Sequence, residues 1–238
     1  LLRWEYAGQQ PGSLERILPT GLEGDPVVTI TRLPNQASED MSLGLLSSDG
    51  RFKRLPLAEI LDLSGRATSV VKLKEGVTLN SAVICRDHQD LLLFSDIGRV
   101  LRIPIRETTL PLMGRLAQGP MTMRLLPGEG LIGALCPEQP SVLLVSREGR
   151  ISRLDCSSLR RSERGDLGSI GVKINSDQDR IAGVAEARGL IGVISSQERH
   201  GRLDALSYDS RNPGEHFQDQ LALRDGESVT EIIPALSD

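Results

Sequence analysis

One phrase recurs along the 238-residue chain. Residues 43–55 read LGLLSSDGRFKRL, 91–103 read LLLFSDIGRVLRI, and 142–154 read VLLVSREGRISRL, with a worn copy, IGVISSQERHGRLDAL, at 191–206. The anchoring glycines are Gly50, Gly98, Gly149 and Gly201, spaced by 48, 51 and 52 residues. A period of this size marks a repeat architecture in which no unit buries its apolar surface alone. It also moves the functional question from one pocket to a surface of equivalent positions.

Each copy reads as a β-hairpin. In the second, Leu91–Phe94 is an apolar strand, Ser95-Asp96-Ile97-Gly98 a turn, and Arg99–Ile103 the return strand. Ser opens such a turn by bonding to the backbone ahead, and Gly closes it in the left-handed region. Apolar residues then fall two and five positions after each glycine: Phe52 and Leu55, Val100 and Ile103, Ile151 and Leu154. An odd separation sends the two side chains to opposite faces, so both faces of the strand are covered. A sheet packed on both sides and repeated radially is a propeller blade.

After the hairpins come looser stretches at 56–69, 104–122, 155–171 and 207–220. A third strand is expected at Val70–Leu73, Met123–Leu126, Val172–Ile174 and Leu221–Leu223. A closing strand is expected at Val83–Cys85, Leu131–Leu135, Ile181–Val184 and Val229–Ile233. The fold class is therefore all-β, with about four blades of ~50 residues. Residues 25–33 (DPVVTITRL) read as an orphan closing strand, the remnant of a fifth, partial blade, and residues 1–24 as a linker or N-terminal arm, so the domain runs from 25 to 238.

Formal charge is −4, but it is unevenly spread: residues 41–208 hold 23 basic against 19 acidic side chains, and both ends are acidic. Arg outnumbers Lys 24 to 4, which suits planar contacts with phosphate or carboxylate and is equally the mark of a G+C-rich genome. Cys85, Cys136 and Cys156 form no C-x-x-C and read as reduced thiols in a cytosolic protein, small core hydrophobes. No apolar run is long enough to span a bilayer, so no membrane association is expected. The start at Leu1 suggests a fragment of a longer polypeptide.

The segment LLLFSDIGRVLRIPIRETTLPLMGRLAQGPMTMRLLPGEGLIGAL (91–135) resembles one repeat of the C-terminal domain of bacterial type IIA topoisomerase A subunits, those of DNA gyrase and topoisomerase IV. The resemblance runs from about residue 25 to 236 and is strongest in the second repeat. It implies a β-pinwheel, a propeller-like ring whose neighbouring blades exchange strands, with double-stranded DNA bent around its basic rim. It also implies partners: the catalytic core of the same A subunit, which carries the DNA-cleaving tyrosine, and a B subunit. ATP and Mg would serve the whole enzyme, leaving this domain without a cofactor. One departure matters. The gyrase tail carries a short box of Gln, basic residues, a glycine pair, a basic residue and Gly. The nearest cluster here, Arg160-Arg161-Ser162-Glu163-Arg164-Gly165-Asp166, lacks the Gln and the glycine pair. Gyrase and topoisomerase IV both stay open, as does chiral wrapping.

Wrapping a polyanion requires cations spaced along a curved rim, because phosphate contacts supply most of the affinity. Two repeated sets qualify. The loop set is Arg66 and Arg115, each following a glycine, with Arg164 beside Gly165. The strand set is Lys72, Arg124 and Lys173, each between apolar neighbours. Lys53, between Phe52 and Arg54, joins them as a rim candidate. Arg160 and Arg161 are candidates too, although local pairing of Arg160, Arg161 and Arg164 with Asp155, Glu163 and Asp166 is an equal alternative. The fourth unit, with Asp219 and Ala222, should contribute least. The hairpin arginines (Arg51, Arg99, Arg150 and Arg54, Arg102, Arg153) suit inter-blade bridging.

Catalytic patterns are absent. His88, His200 and His216 have no metal spacing, no G-x-S-x-G occurs, and Gly128-Glu129-Gly130 is a turn without the Lys-Ser/Thr of a phosphate loop. Neither Tyr6 nor Tyr208 reads as a nucleophile. The competing reading is a propeller that serves as a protein-interaction platform without DNA binding; WD-type and kelch-type signatures are missing.

Overall fold

Every Ser-x-x-Gly turn closes a hairpin where the sequence places it. The structure, a computed structural model, describes residues 26–63 and 67–234. The first unit comprises β1 (Met41–Ser47), β2 (Phe52–Pro56), a short helix α1 (Leu57–Leu61) and β3 (Leu79–Arg86). The second has β4 (Asp90–Ser95), β5 (Arg99–Pro104) and β6 (Leu131–Leu135). The third has β7 (Ser141–Ser146), β8 (Arg150–Asp155), β9 (Ser169–Ile170), β10 (Val172–Lys173) and β11 (Ile181–Glu186). The fourth has β12 (Leu190–Ser195), β13 (His200–Asp204), β14 (Ser210–Arg211), β15 (Glu215–His216), β16 (Asp219–Gln220) and β17 (Val229–Ile233).

In each unit the first hairpin strand lies between its return strand and the closing strand, in the orders β2-β1-β3, β5-β4-β6, β8-β7-β11 and β13-β12-β17. The closing strands β3, β6, β11 and β17 pack consecutively on one another, which sets the blades in a fan about their line. Residues 26–33 form no strand, and Val27, Val28 and Ile30 are exposed; Asp25 lies outside the described residues. The expected orphan closing strand is thus corrected: a closing strand pairs with the hairpin of its own unit, and no described hairpin precedes it.

The core lies between blades. Leu46 and Phe52 of the first pack with Leu91, Leu93, Leu101 and Ile103 of the second. Leu92, Phe94 and Val100 of the second meet Val142, Leu144 and Leu154 of the third. Leu143, Val145 and Ile151 of the third meet Ile191, Val193 and Leu203 of the fourth. Residues two and five after the turn glycine therefore do face opposite neighbours. The other face of the first blade is covered by Leu33, Ala37, Leu57 and Ile60 of α1, and Val70.

The looser stretches of the second, third and fourth units do not complete their own sheets; each crosses to the return strand of the preceding blade, whereas the described part of the first carries α1 and packs on its own blade. Met113 N donates to Arg54 O (2.9 Å), Phe52 N to Pro120 O (3.2 Å) and Met123 N to Gly50 O (3.0 Å). The third unit repeats this on β5, with Ser162 N to Arg102 O (2.8 Å) and β9 paired to β5. The fourth repeats it on β8 through β14, β16 and Leu221 N to Gly149 O (2.8 Å). This is the strand exchange that the resemblance implies. Of the expected third strands only Val172–Lys173 is a regular strand, because a crossing segment makes too few consecutive ladder bonds. The close crossing also explains the turn glycines. Gly50 has φ +85°, and a Cβ on it would lie 2.0 Å from Met123 O. In the fourth unit the equivalent turn residue is Glu198 (φ 57°), whose N–H bonds to Ser195 O, and not Gly201. No described segment crosses onto β13, so nothing there requires the side chain to be missing.

Candidate nucleic-acid interface

Strand parity sorts the hairpin arginines. Arg54, Arg102 and Arg153 share the face of Phe52, Val100 and Ile151, which looks toward the following blade. Each reaches into the crossing unit: Arg54 Nε to Leu110 O (2.6 Å), Arg102 Nη1 to Cys156 O (2.9 Å), Ser157 O (2.7 Å) and Leu159 O (3.0 Å), and Arg153 Nη1 to Tyr208 O (3.2 Å). Asp87 and Asp90 hold the first two from behind at 2.6 Å. They clasp blades together, as the sequence suggests. Arg51 reaches Gly119 O of the crossing segment at 3.0 Å. Arg99 instead turns to its own unit and meets Glu129.

Lys53 is corrected outright. It is fully buried, and Nζ donates to Val70 O at 2.6 Å and to Arg115 O. Burial pushes its pKa down to about 8, with nearby Glu59 acting in the opposite direction. It pins two backbone segments and offers nothing to a ligand. The repeat held the signal: the same position, three after the turn glycine, is Leu101 and Ser152 in the next units, both buried.

The remaining candidates divide. Arg66 lies outside the described residues. Arg161 is drawn to Asp90 at 3.0 Å, sharing that carboxylate with Arg102. Arg160 is exposed and paired with Asp166 at 3.0 Å. Lys72, Arg115, Arg124, Arg164 and Lys173 are exposed, and their charged groups carry no ion pair with described residues.

The backbone sets segments that carry these cations against the neighbouring unit. Crossing segments lie side by side: Gly165 N donates to Thr122 O (2.7 Å), and Arg124 N to Asp166 O (3.0 Å). That sets Arg124 of the second unit beside Arg164 of the third. Likewise β10 and β15 run parallel, with Lys173 opposite His216, and Lys53 Nζ joins the carbonyls of Val70 and Arg115. The strand-set cation of one unit thus abuts the loop of the next. Arg115, Arg124 and Lys173 each lie within two residues of a backbone bond to the hairpin of the preceding blade: Met113 N to Arg54 O, Met123 N to Gly50 O and Val172 N to Gly98 O. In the fourth unit Glu215 and Ala222 stand in the series, and His216 Nδ1 is 2.5 Å from Asn175 Oδ1.

Sequence reasoning missed two carboxylate latches behind the turns. Glu129 accepts from Arg99 Nε (2.8 Å) and Leu126 N (2.6 Å). Burial raises its pKa, but these bonds and one from Ser95 outweigh burial and hold it below the usual range. Glu227 is held low chiefly by the Arg224 N–H, then by Ser195, and Arg199 Nη1 stands 2.7 Å away. In sequence each is only a Gly-containing turn. Among the described residues no group of three or more His, Cys, Asp or Glu is placed to hold a metal, and no helix is long and apolar enough to cross a membrane.

The family model described as DNA gyrase C-terminal domain, beta-propeller, matches residues 45–86, 89–138 and 140–187. The chain belongs to the DNA gyrase C-terminal domain family. The matched stretches are the first three blades as the structure builds them. The chain is 34% identical over 168 residues to the DNA gyrase A subunit of Pseudomonas aeruginosa, covering 68% of this chain and 18% of that protein. It is 30% identical over 235 residues to the DNA topoisomerase 4 A subunit of Synechocystis, covering 91% of this chain and 26% of that protein. The chain therefore spans about a fifth to a quarter of the length of these relatives. Its fold matches a solved DNA gyrase A C-terminal domain with a TM-score of 0.71 at 20% identity, over 84% of this chain and 67% of that one. The topoisomerase IV C-terminal domain matches with a TM-score of 0.72 at 14% identity, over 84% and 63%. The β-pinwheel reading of this gyrase-family domain stands.

Proposed function

We propose that this domain binds double-stranded DNA along its return-strand edge and bends it, presenting the duplex to the catalytic core of a type II topoisomerase A subunit. Cleavage, ATP, Mg and the B subunit belong to that larger assembly, and this domain carries no chemistry of its own. The observation that supports the reading is the side-by-side packing of crossing segments, which puts Arg124 next to the Arg164 loop and Lys173 next to His216, while Lys72, Arg115, Arg124, Arg164 and Lys173 are all exposed and without ion partners among the described residues. Arg66 extends the loop set by repeat position. Arg160 and Arg161 are secondary, since contact with phosphate would compete with Asp166 and Asp90.

Contacts of this kind read phosphate and carry little sequence preference. Five neutralised phosphates give a slope of about −4.5 in log K against log salt, so affinity falls ~500-fold between 50 and 200 mM. Fluorescence anisotropy of a labelled duplex measures this slope. Arg124→Ala should make it shallower by about 0.9 for any duplex sequence. An absence of binding at low salt would refute the proposal and leave the interaction-platform reading in its place.

A further inference from the structure

Two thiols from different blades lie in contact. Cys85 is near the end of β3, and Cys136 follows β6; Cys136 Sγ is 3.4 Å from Cys85 Sγ. β3 and β6 are packed neighbours in the line of closing strands, each on the opposite side of its first hairpin strand from the return strand. Cys85 is fully buried with Leu46, Phe52, Leu91 and Leu93, whereas Cys136 is half-buried at the margin of the same cluster. Cys156 sits in a different cluster and has no thiol neighbour.

We propose that Cys85 and Cys136 form a reversible disulfide that staples the first blade to the second. The oxidant is a soluble disulfide of the glutathione class. The Cys136 thiol gives its proton to solvent, and its sulfur attacks one sulfur of the soluble disulfide. A mixed disulfide forms on Cys136, and the other half leaves as a thiolate that takes up a proton. The Cys85 thiol then gives up its proton, and its sulfur attacks Cys136 Sγ, expelling the second half as a thiol. Two protein S–H groups become one S–S bond while one soluble disulfide becomes two thiols.

Closure needs the sulfurs to move from 3.4 Å to the ~2.05 Å of a disulfide bond. The hydrogen bond to Cys85, together with burial, holds the Cys136 thiol pKa up. The exchange is therefore slow at neutral pH and quickens as pH rises. The bond spans 51 residues of chain, so it also restricts the unfolded state.

The test treats the folded 238-residue chain with oxidised glutathione, blocks residual thiols, and maps peptides by mass. The expected result is loss of two hydrogens, a Cys85–Cys136 cross-linked peptide, and a raised urea midpoint, all reversed by dithiothreitol. Cys156→Ser should behave like the parent. Cys85→Ser should stop at a single glutathione adduct on Cys136. A persistent adduct on Cys136 of the parent, a cross-link to Cys156, or no mass change under alkaline conditions that leave the fold intact would each overturn the proposal. The parent chain alone decides the outcome, so it does not depend on whether a variant folds.

Discussion

Between pH 8 and pH 10.5 this fold is expected to gain stability through Lys53. Its ammonium is buried beneath the crossing segments, and burial has pushed its pKa from 10.5 down to about 8. In the unfolded chain the same group titrates near 10.5. Across this window the unfolded state holds more protons, so the free energy of unfolding rises with pH. Two and a half pKa units correspond to ~3 kcal/mol. The carbonyls of Val70 and Arg115 favour the charged form, which makes that figure an upper bound. The buried Cys156 thiol acts in the opposite sense. Its pKa is about 12 in the fold, so the unfolded chain loses that proton first and stability falls above the ordinary thiol range. The Lys53 contribution is therefore read as a difference between the parent and Lys53→Met, by urea unfolding at intervals from neutral pH to 10.5. The parent should gain ~1–3 kcal/mol on the variant over the window. Parallel curves would show that the amine is not desolvated and that the burial argument fails. The same variant should leave the salt dependence of duplex binding unchanged, because Nζ faces backbone carbonyls and not solvent.

Two further outcomes test the strand exchange and the latches. Gly98 has φ +83°, and a Cβ there would lie 2.3 Å from Val172 O, so Gly98→Ala should cost more than the ~1–2 kcal/mol of a left-handed alanine. A denaturant midpoint measures it, with Gly76→Ala, at φ +74° in open space, as the conformational control. Glu129 has a folded pKa below its ordinary 4.5, so its contribution is complete above that value and is lost as pH falls through the depressed one. Acid unfolding of Glu129→Gln should accordingly show a flatter limb below pH 4.5, and an unchanged limb would remove the latch from the account.

The hairpins were legible because they are local. A Ser-x-x-Gly turn and two apolar residues at odd separation define a covered ladder, and Leu92 and Leu93 do point into different inter-blade clusters. The crossing segments were not legible from periodicity, since each makes only isolated bridges or two-residue ladders, such as Arg54 with Leu112 or Arg99 with Ile170. Only the family resemblance carried the exchange. Lys53 misled because its flanking residues look like those of a rim strand, while its repeat equivalents, Leu101 and Ser152, would have marked it as interior. Arg161 and Asp90 are 71 residues apart, and no local pattern announces such a pair.

The worn fourth copy has a physical explanation in what its residues would otherwise touch. In the first three units the residue two after the turn position is Phe52, Val100 or Ile151, and each packs on the following blade. Counted from Glu198, the fourth unit has His200 there, and Arg202 stands where Arg54, Arg102 and Arg153 clasp the next crossing segment. Both are exposed, and the Arg202 side chain makes no hydrogen bond or ion pair with a described residue. The face toward the third blade is different. Ile191, Val193 and Leu203 there remain apolar and buried. Sequence is held apolar only where a neighbour excludes water, and the substitutions fall on the side where no described segment lies. A polar outer face also discourages unwanted pairing along the edge of β13, which no other described strand covers. Divergence in this repeat is therefore a matter of which contacts are made, so sequence similarity between units understates how faithfully the fourth blade keeps the inner half of the pattern.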